Sequence, residues 1–343
     1  VHIDPFGFHQ AEIRKEEDFE MIYLDNAATT ALKPEVFEAM KPFLLENYSN
    51  PNSVYSFAQE SKTAVDQARE IIAGVLGARA NEIYFTAGGS ESDNWAIKGC
   101  AKAYASKGRH MITTKIEHHA VLHTFEDLEK NGCEVTYLDV DENGCIRLED
   151  LEQAIRPDTI LISIMYANNE IGTIEPIREI GAIAKKHGVL FHTDAVQAFA
   201  HEPIQVDELH IDLLSASAHK FHGPKGVGFL YMRNGVKASP LIHGGAQERA
   251  KRAGTSNVPG IVGMGKAVQI AFADLAARNE KMAAVRDHLI TRVLDEIPFS
   301  RLNGHRTKRL SNNANFCFRF IEGESLLMML DQKGICASSG SAC

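Results

Sequence analysis

From residue 83 onward, short apolar runs alternate with longer segments of helical length. The runs at 83–86, 110–114, 134–138, 160–165, 189–193, 212–216 and 227–231 read as strands. Between most of them lie helix-length stretches; one, 175–187, has Pro176 near its start and Gly188 just past its end. Ahead of the first strand, 59–76 sets Val65, Ala68, Ile72 and Val75 on one helical face. This alternation predicts an α/β layered domain with a mostly parallel, seven-stranded sheet. After Pro259 the pattern changes. A long helical stretch runs to about Glu296, followed by a strand-like segment at 313–320 and a helical one at 325–332, which predicts a smaller α+β domain. Residues 1–20 lack apolar periodicity, and Met21 opens a fresh start, MIYLDNAATT. The first twenty are read as an extension, native or added, with no function assigned.

Composition narrows the class. The chain has 343 residues, room for about two domains at ~100–200 residues each. Its 44% hydrophobic and 24% charged content excludes a disordered chain, a collagen-like repeat and a coiled coil. Lys plus Arg number 36 against 45 Asp plus Glu, and a net charge of −9 argues against a broad nucleic-acid face. The basic clusters at 249–252 and 305–309 are read as solvated surface. No apolar run approaches the ~18 residues of a membrane span, and the N-terminus, broken by Pro5 and Gly7, does not read as a signal peptide. Six cysteines without a CxxC pair exclude a disulfide scaffold or zinc ribbon and fit a reducing, cytoplasmic setting.

Five segments carry candidate chemistry. In SASAHKFHGPKGVG, Lys220 follows a strand in a Gly/Pro-rich loop, a place for a Schiff-base lysine or for a surface lysine in a turn; a core position is not expected. In VLFHTDAVQA, Asp194 ends a strand where α/β sheets bind ligands, with Gln197 three residues on; it can partner a pyridine nitrogen or cap a helix. In FTAGGSESDN, Gly88, Gly89 and Ser90 lead from strand to helix, a phosphate site or an ordinary turn. In the EHH segment, His118 suits stacking on a flat cofactor, or a structural role. His119 and His123 stand four apart, but no third ligand follows and no metal is expected. Finally, ASSGSAC ends in Cys343 among small residues, the setting of a reactive thiol; Cys100, Cys133, Cys145, Cys317 and Cys336 read as buried or incidental.

Together these segments resemble the cysteine desulfurases, the NifS/IscS-like branch of the fold-type I pyridoxal-phosphate (PLP) enzymes. The resemblance runs from Met21 to Cys343. It rests on YLDNAATT, NPNSVYSFAQE, FTAGGSESDNWAIKG, IEHHAVLHT, MYANNEIGTI, HTDAVQA, SASAHKFHGPKGVG, HGGAQERAKRAGT and EGESLLMMLD…ASSGSAC, nine motifs in the family's order.

The resemblance implies a large PLP-binding domain over 35–255 and a small domain combining 21–34 with 256–343. It implies a PLP cofactor carried by Lys220 as an imine, His118 stacked on the ring and moving protons, and Asp194 on the pyridine nitrogen. Gln197 is expected on the phenolic oxygen, and Asn169 positioning cofactor and substrate. Gly89, Ser90, Ser217 and His219 match the phosphate cradle. Thr255 matches a phosphate ligand given to a neighbouring subunit, which implies a homodimer. Cys343 matches the persulfide-forming nucleophile, fed by L-cysteine and discharged to an Fe–S scaffold protein or a tRNA-thiolation relay.

Two departures stand out. Tyr55 replaces the family's usual histidine, with little effect expected. The family also continues several dozen residues past Cys343, so a partial chain is expected, and nothing here matches the arginine that grips the substrate carboxylate; Arg252 is not that residue. Two alternatives remain at this point: a selenocysteine lyase-type relative, and an inactive PLP-binding scaffold lacking its tail.

Overall fold

The computed structural model describes residues 21–339. In chain order the elements are β1 (Ile22–Tyr23), α1 (Pro34–Leu45), α2 (Phe57–Leu76), β2 (Ile83–Thr86), α3 (Gly89–Ala103), β3 (His110–Thr114), α4 (His119–Lys130), β4 (Glu134–Leu138), α5 (Leu148–Ala154), β5 (Thr159–Ser163), α6 (Ile177–His187) and β6 (Leu190–Asp194). There follow β7 (Leu213–Ser217), β8 (Gly228–Met232), α7 (Gln247–Ala250), α8 (Val258–Ala273), α9 (Leu275–Glu296), β9 (Ser300–Asn303), β10 (Asn315–Phe318), α10 (Gly323–Asp331) and β11 (Ile335–Cys336).

Seven strands form one sheet in the order β2-β8-β7-β6-β5-β3-β4. From β7 to β4 every pairing is parallel; β8 runs antiparallel to both β7 and β2. Each predicted strand is present within a residue or two of its expected position. Consecutive side chains of the central strands divide between two cores. Phe85, Ile112, Ile162, Leu214 and Phe229 pack with α2, α6 and α8. Tyr84, Met111, Leu161, Leu213 and Leu230 pack with Trp95 and Ile97 of α3 and Phe125 of α4. A strand covered on both faces buries both sets of side chains, which is why apolar residues occur at consecutive positions in these runs and do not simply alternate with polar ones.

Helix α6 starts at Pro176 and stops at Gly188, whose φ of 65° closes it with a left-handed cap. Val65, Ala68 and Ile72 of α2 are buried, and Val75 packs on their cluster. The single helix expected from 259 to 296 is instead two, bent by 73° at Asp274. The reason lies in burial: α8 is packed along most of its length, whereas α9 buries only Ile290, so the two halves answer to different surroundings. Beyond the main sheet, β9 pairs antiparallel with β10, and β1 pairs parallel with β11, tying residue 22 to residue 335. Among the described residues, no single helix is long and apolar enough to cross a membrane.

The basic clusters are only in part the solvated surface expected: Arg249, Arg306 and Lys308 are exposed, whereas Arg252 is half-buried and Arg309 buried. Arg309 is only 4% exposed and donates to the carbonyls of Ile171, Asn303 and Asn313. Arg252 forms a two-bond pair with Glu91, and the Arg249 guanidinium lies 4.1 Å over the Tyr84 ring. Guanidinium groups are drawn into such places because their planar fork can satisfy several acceptors at once.

Candidate active site

Five strands bring their carboxyl ends to one edge of the sheet, and each contributes to the same cleft of about 160 Å³. After β2 come Gly89 and Ser90, after β3 His118, after β5 Asn169, after β6 Asp194 and Gln197, and after β7 Ser217, His219 and Lys220. Ligands bind at such edges because the loops that leave the strands there are free of the ladder.

Lys220 is 8% exposed, so the expectation that it could not lie inside the protein fails. A strap formed by residues 27–31 covers it. Its Nζ donates to the carbonyl oxygens of Ala27 at 2.5 Å and Ala28 at 2.9 Å. The strap is laced down on either side: the Thr30 hydroxyl donates to the His219 carbonyl at 2.8 Å and accepts from the His222 N–H at 2.7 Å. Gln197 Nε2 donates to the Ala27 carbonyl as well, at 3.0 Å.

No helix follows Asp194; its Oδ1 accepts from the Val196 N–H at 2.9 Å within a turn, which removes the helix-cap reading. Burial pushes the Asp194 carboxyl above its usual range, while the Val196 N–H and the charges of His118 and Lys220 pull it back. His118 caps α4, accepting at Nδ1 from the Ala120 N–H at 3.1 Å, so the neutral ring carries its proton on Nε2. Its structural and cleft-lining roles coexist. Burial lowers its pKa, and Lys220, His119 and His123 reinforce that. His219, beside the Thr29 hydroxyl at 3.1 Å, is pushed down to about 4 by burial and by Lys220 and Lys225.

The first turn of any helix leaves N–H groups without intrahelical partners, and Gly89 and Ser90 occupy that turn of α3. A Cβ on Gly89 would lie 2.5 Å from Val196 Cγ2, so only glycine lets the turn sit this close to the β6 loop. Ser217 and His219 border the same end of the cleft.

Thr255 does not line the cleft of its own chain, and Cys343 lies outside the described residues. His119 and His123 stack ring on ring at 5.1 Å, and no cluster of three or more metal-ligating side chains occurs among the described residues. Of the other cysteines, Cys100 is buried, Cys133, Cys145 and Cys336 are half-buried, and Cys317 is exposed. The shielding expected of Cys317 is thus absent: β10 belongs to a two-stranded sheet, and Cys317 stands on its open face.

Sequence reasoning missed Asp93, which also lines the cleft and is 1% exposed. The signal was available. Asp93 stands on the stripe of α3 that carries Gly89, Ala96, Ile97 and Cys100, all buried, and a carboxylate on a buried stripe calls for an explanation.

Buried lysines are rare because desolvation penalises the ammonium. One set beside a carboxylate and an imidazole, with a helix N-terminus at the other end of the cleft, fits a ligand bearing a carbonyl, a basic ring nitrogen and a phosphate. That is pyridoxal 5′-phosphate, and fold and site together define a fold-type I enzyme of that cofactor. The model of the family described as aminotransferase class-V matches residues 22–343. The chain is 60% identical over 322 residues to the cysteine desulfurase IscS of Methanosarcina thermophila, covering 94% of this chain and 80% of that protein. Among solved structures it is similar to a NifS-like protein, with TM-score 0.90 and 42% identity over 93% of this chain and 87% of that one. It is also similar to a structure described as SspA in complex with cysteine, with TM-score 0.83 and 41% identity over 94% and 90%. The chain belongs to the class-V aminotransferase family, among the NifS/IscS cysteine desulfurases.

Proposed function

We propose that this chain is a cysteine desulfurase that takes sulfur from L-cysteine, releases L-alanine and holds the sulfur as a persulfide on Cys343. The observation that carries the reading is the buried Lys220 ammonium in one cleft with Asp194, His118 and the first turn of α3. When bound, pyridoxal phosphate would supply an electron sink for the α-carbon of the amino-acid substrate.

The chain's own residues do the rest. Asp194 holds a proton at the pyridine nitrogen, because a carboxylate at that position stabilises the positive ring. His118 stacks on the ring, and its Nε2 proton is available to the substrate side. Gln197 donates to the phenolic oxygen, and Asn169 orients the substrate. Gly89, Ser90, Ser217 and His219 receive the phosphate through N–H, hydroxyl and imidazole groups. Lys220, released from its covalent role, moves the proton of the α-carbon. Cys343 would attack as thiolate: the Cβ–S bond of cysteine breaks, an S–S bond forms on Cys343 Sγ, Cβ takes a proton in place of the sulfur, the α-carbon regains its own, and alanine leaves.

The working unit is a homodimer in which Thr255 reaches the phosphate of the neighbouring subunit; that Thr255 does not line the cleft of its own chain supports this. A large unit over 35–255 and a small one combining 21–34 with 256–343 is supported by the β1–β11 pairing. The setting is cytoplasmic, and the acceptor is an Fe–S scaffold or a tRNA-thiolation relay.

The test is incubation of the PLP-loaded protein with L-cysteine. Expected are alanine release and, by mass spectrometry, a persulfide on the peptide ending in Cys343. Cys343→Ser should bind the cofactor and release almost no alanine. Full turnover by Cys343→Ser, or a persulfide mapped to Cys317 or Cys336, would overturn the assignment. Faster alanine release from selenocysteine, with none from cysteine, would favour a selenocysteine lyase.

A further inference from the structure

Three carboxyl groups lie buried around this cleft: Asp93 at 1%, Asp194 at 5% and Glu117 at 5% exposure. Three negative charges this close in a desolvated site repel one another, so the protein must decide which of them ionises. Burial, the neighbouring charges and the hydrogen bonds around each make that decision together.

Asp194 receives the Val196 N–H and the fields of Lys220 and His118. Glu117 Oε1 accepts from the Thr114 hydroxyl at 2.7 Å and the Met165 N–H at 2.9 Å. Among the described residues Asp93 has the Ser215 hydroxyl alone, and its Oδ1 is buried without a hydrogen-bond partner, as is Glu117 Oε2.

Among the described residues, the titratable groups around Asp93 come from three places. From β6 come Asp194 and His192, whose Nε2 lies 3.7 Å from Asp93 Oδ1. His192 is neutral, however: burial takes it down to about 3, and its two nitrogens are engaged by Ser163 at 2.8 Å and Ser215 at 3.0 Å. From the turn before α4 come Glu117 and His118, and from the end of β7 Lys220. Strands β2, β5 and β8 supply no Asp, Glu, Lys, Arg or His, and the charged residues of α4 are exposed. Burial and the neighbouring Asp194 push the Asp93 carboxyl far up, in agreement with the geometry.

We infer that Asp93 is a positioning residue for Asp194: it stays a neutral carboxylic acid in the wall of the cleft, so that Asp194 alone carries the negative charge that would be offered to the pyridine nitrogen. The unpartnered Oδ1 is then the site of the acid's proton. Removing the acid's polar shape alters what Asp194 presents, whereas replacing it with a neutral amide of the same shape does not.

This inference rests on the reading that the cleft binds pyridoxal phosphate, and wild-type protein checks that reading first. If the wild type shows no absorbance of bound cofactor, that reading fails; if it does, the variants test Asp93. In Asp93→Asn the pH midpoint of the bound-cofactor absorbance should stay within about 0.3 pH unit of wild type. Its infrared difference spectrum should lack one carbonyl stretch of a protonated carboxylic acid. In Asp93→Leu, similar in size but without polar atoms, the midpoint should move and cofactor should dissociate at least about tenfold more readily. A midpoint shift above about one pH unit in Asp93→Asn, the size expected for deleting a nearby charge, would overturn the inference. So would an unchanged protonated-acid band in Asp93→Asn. A wild-type midpoint in Asp93→Leu would show that Asp93 only fills space.

Discussion

The ammonium of Lys220 donates to the carbonyl oxygen of Ala27 at 2.5 Å, a bond that spans 193 residues of sequence. It brings the first described loop of the chain over the end of β7. The strap and the lysine therefore form one unit, with Thr30 pinned to His219 and His222 on both sides. An amine held by two carbonyls and set beside Asp194 is oriented before any ligand arrives, and preorganisation of this kind lowers the cost of forming a covalent bond at Nζ.

Lys220 is therefore expected to be the residue that carries the cofactor. Borohydride treatment of the yellow protein should fix pyridoxal phosphate to a single peptide containing Lys220. Lys220→Ala should retain cofactor only noncovalently and lose it on dialysis. A reduced peptide from elsewhere in the chain would refute the assignment.

Asp194 separates charge from shape. Asp194→Ala should lose much more alanine-forming activity than Asp194→Glu, because the positive ring needs a carboxylate. A buried charge-assisted hydrogen bond is worth ~1.5–3 kcal/mol, so the alanine variant should fall at least ~10- to 100-fold. Equal, wild-type-like rates in both would show that Asp194 serves only its turn.

Glu117 makes a prediction about stability against pH. Burial raises its pKa from 4.5 to about 8, so between those values the folded protein holds a proton that the unfolded chain has released. Stability must then fall as pH rises through that window, by up to about 1.4 kcal/mol per pH unit for each such proton. His192, lowered to about 3, acts in the opposite sense: below 6.5 the unfolded chain takes up a proton that the folded one refuses, and stability falls as pH drops. The histidine contribution to this slope is half gone at pH 6.5 and nearly gone by about pH 7.5, above which the carboxyl contribution remains. Urea unfolding from pH 6.5 to 8 should show declining stability in the wild type and a visibly flatter profile in Glu117→Gln. Superimposable profiles would mean that Glu117 is ionised in the folded protein.

Arg69 should be among the most sensitive positions outside the cleft. Its guanidinium binds both carboxylate oxygens of Glu248 at 2.8 and 2.9 Å and the Ile83 carbonyl at 2.6 Å. Glu248 in turn accepts from the Phe85 N–H at 3.0 Å. The pair holds down a turn in which Glu248, Arg249 and Ala250 all have positive φ, an unfavourable run for residues with side chains. Arg69→Met leaves the Glu248 carboxylate buried without its cation and should cost ~3–5 kcal/mol in urea unfolding. Arg69→Lys should recover only part, since an ammonium cannot reproduce the two-bond fork. A loss under about 1 kcal/mol in Arg69→Met would show that the pair contributes little.

Much of this molecule could be read before its structure. The runs at 83–86, 160–165 and 227–231 carry no charged residue and do not alternate between apolar and polar, a pattern that strands covered on both faces show, so the sheet was legible. Pro176 and Gly188 marked the two ends of one helix by backbone chemistry alone. Motif order placed Lys220, Asp194, His118 and Ser217, and the cleft contains all four. What the chain did not disclose depends on contacts between distant segments. The break at Asp274 follows from packing that α8 has and α9 lacks. The burial of Lys220 depends on a strap from residues 27–31, and that of Arg309 on carbonyls contributed by Ile171, Asn303 and Asn313. Asp93 looked like one more polar residue in a helix until β6 and the Glu117 turn closed around it. Local pattern decides which elements form, because propensity and burial period act over a few residues. The charge state and accessibility of a side chain are set by everything that surrounds it, and only the tertiary structure brings those neighbours together.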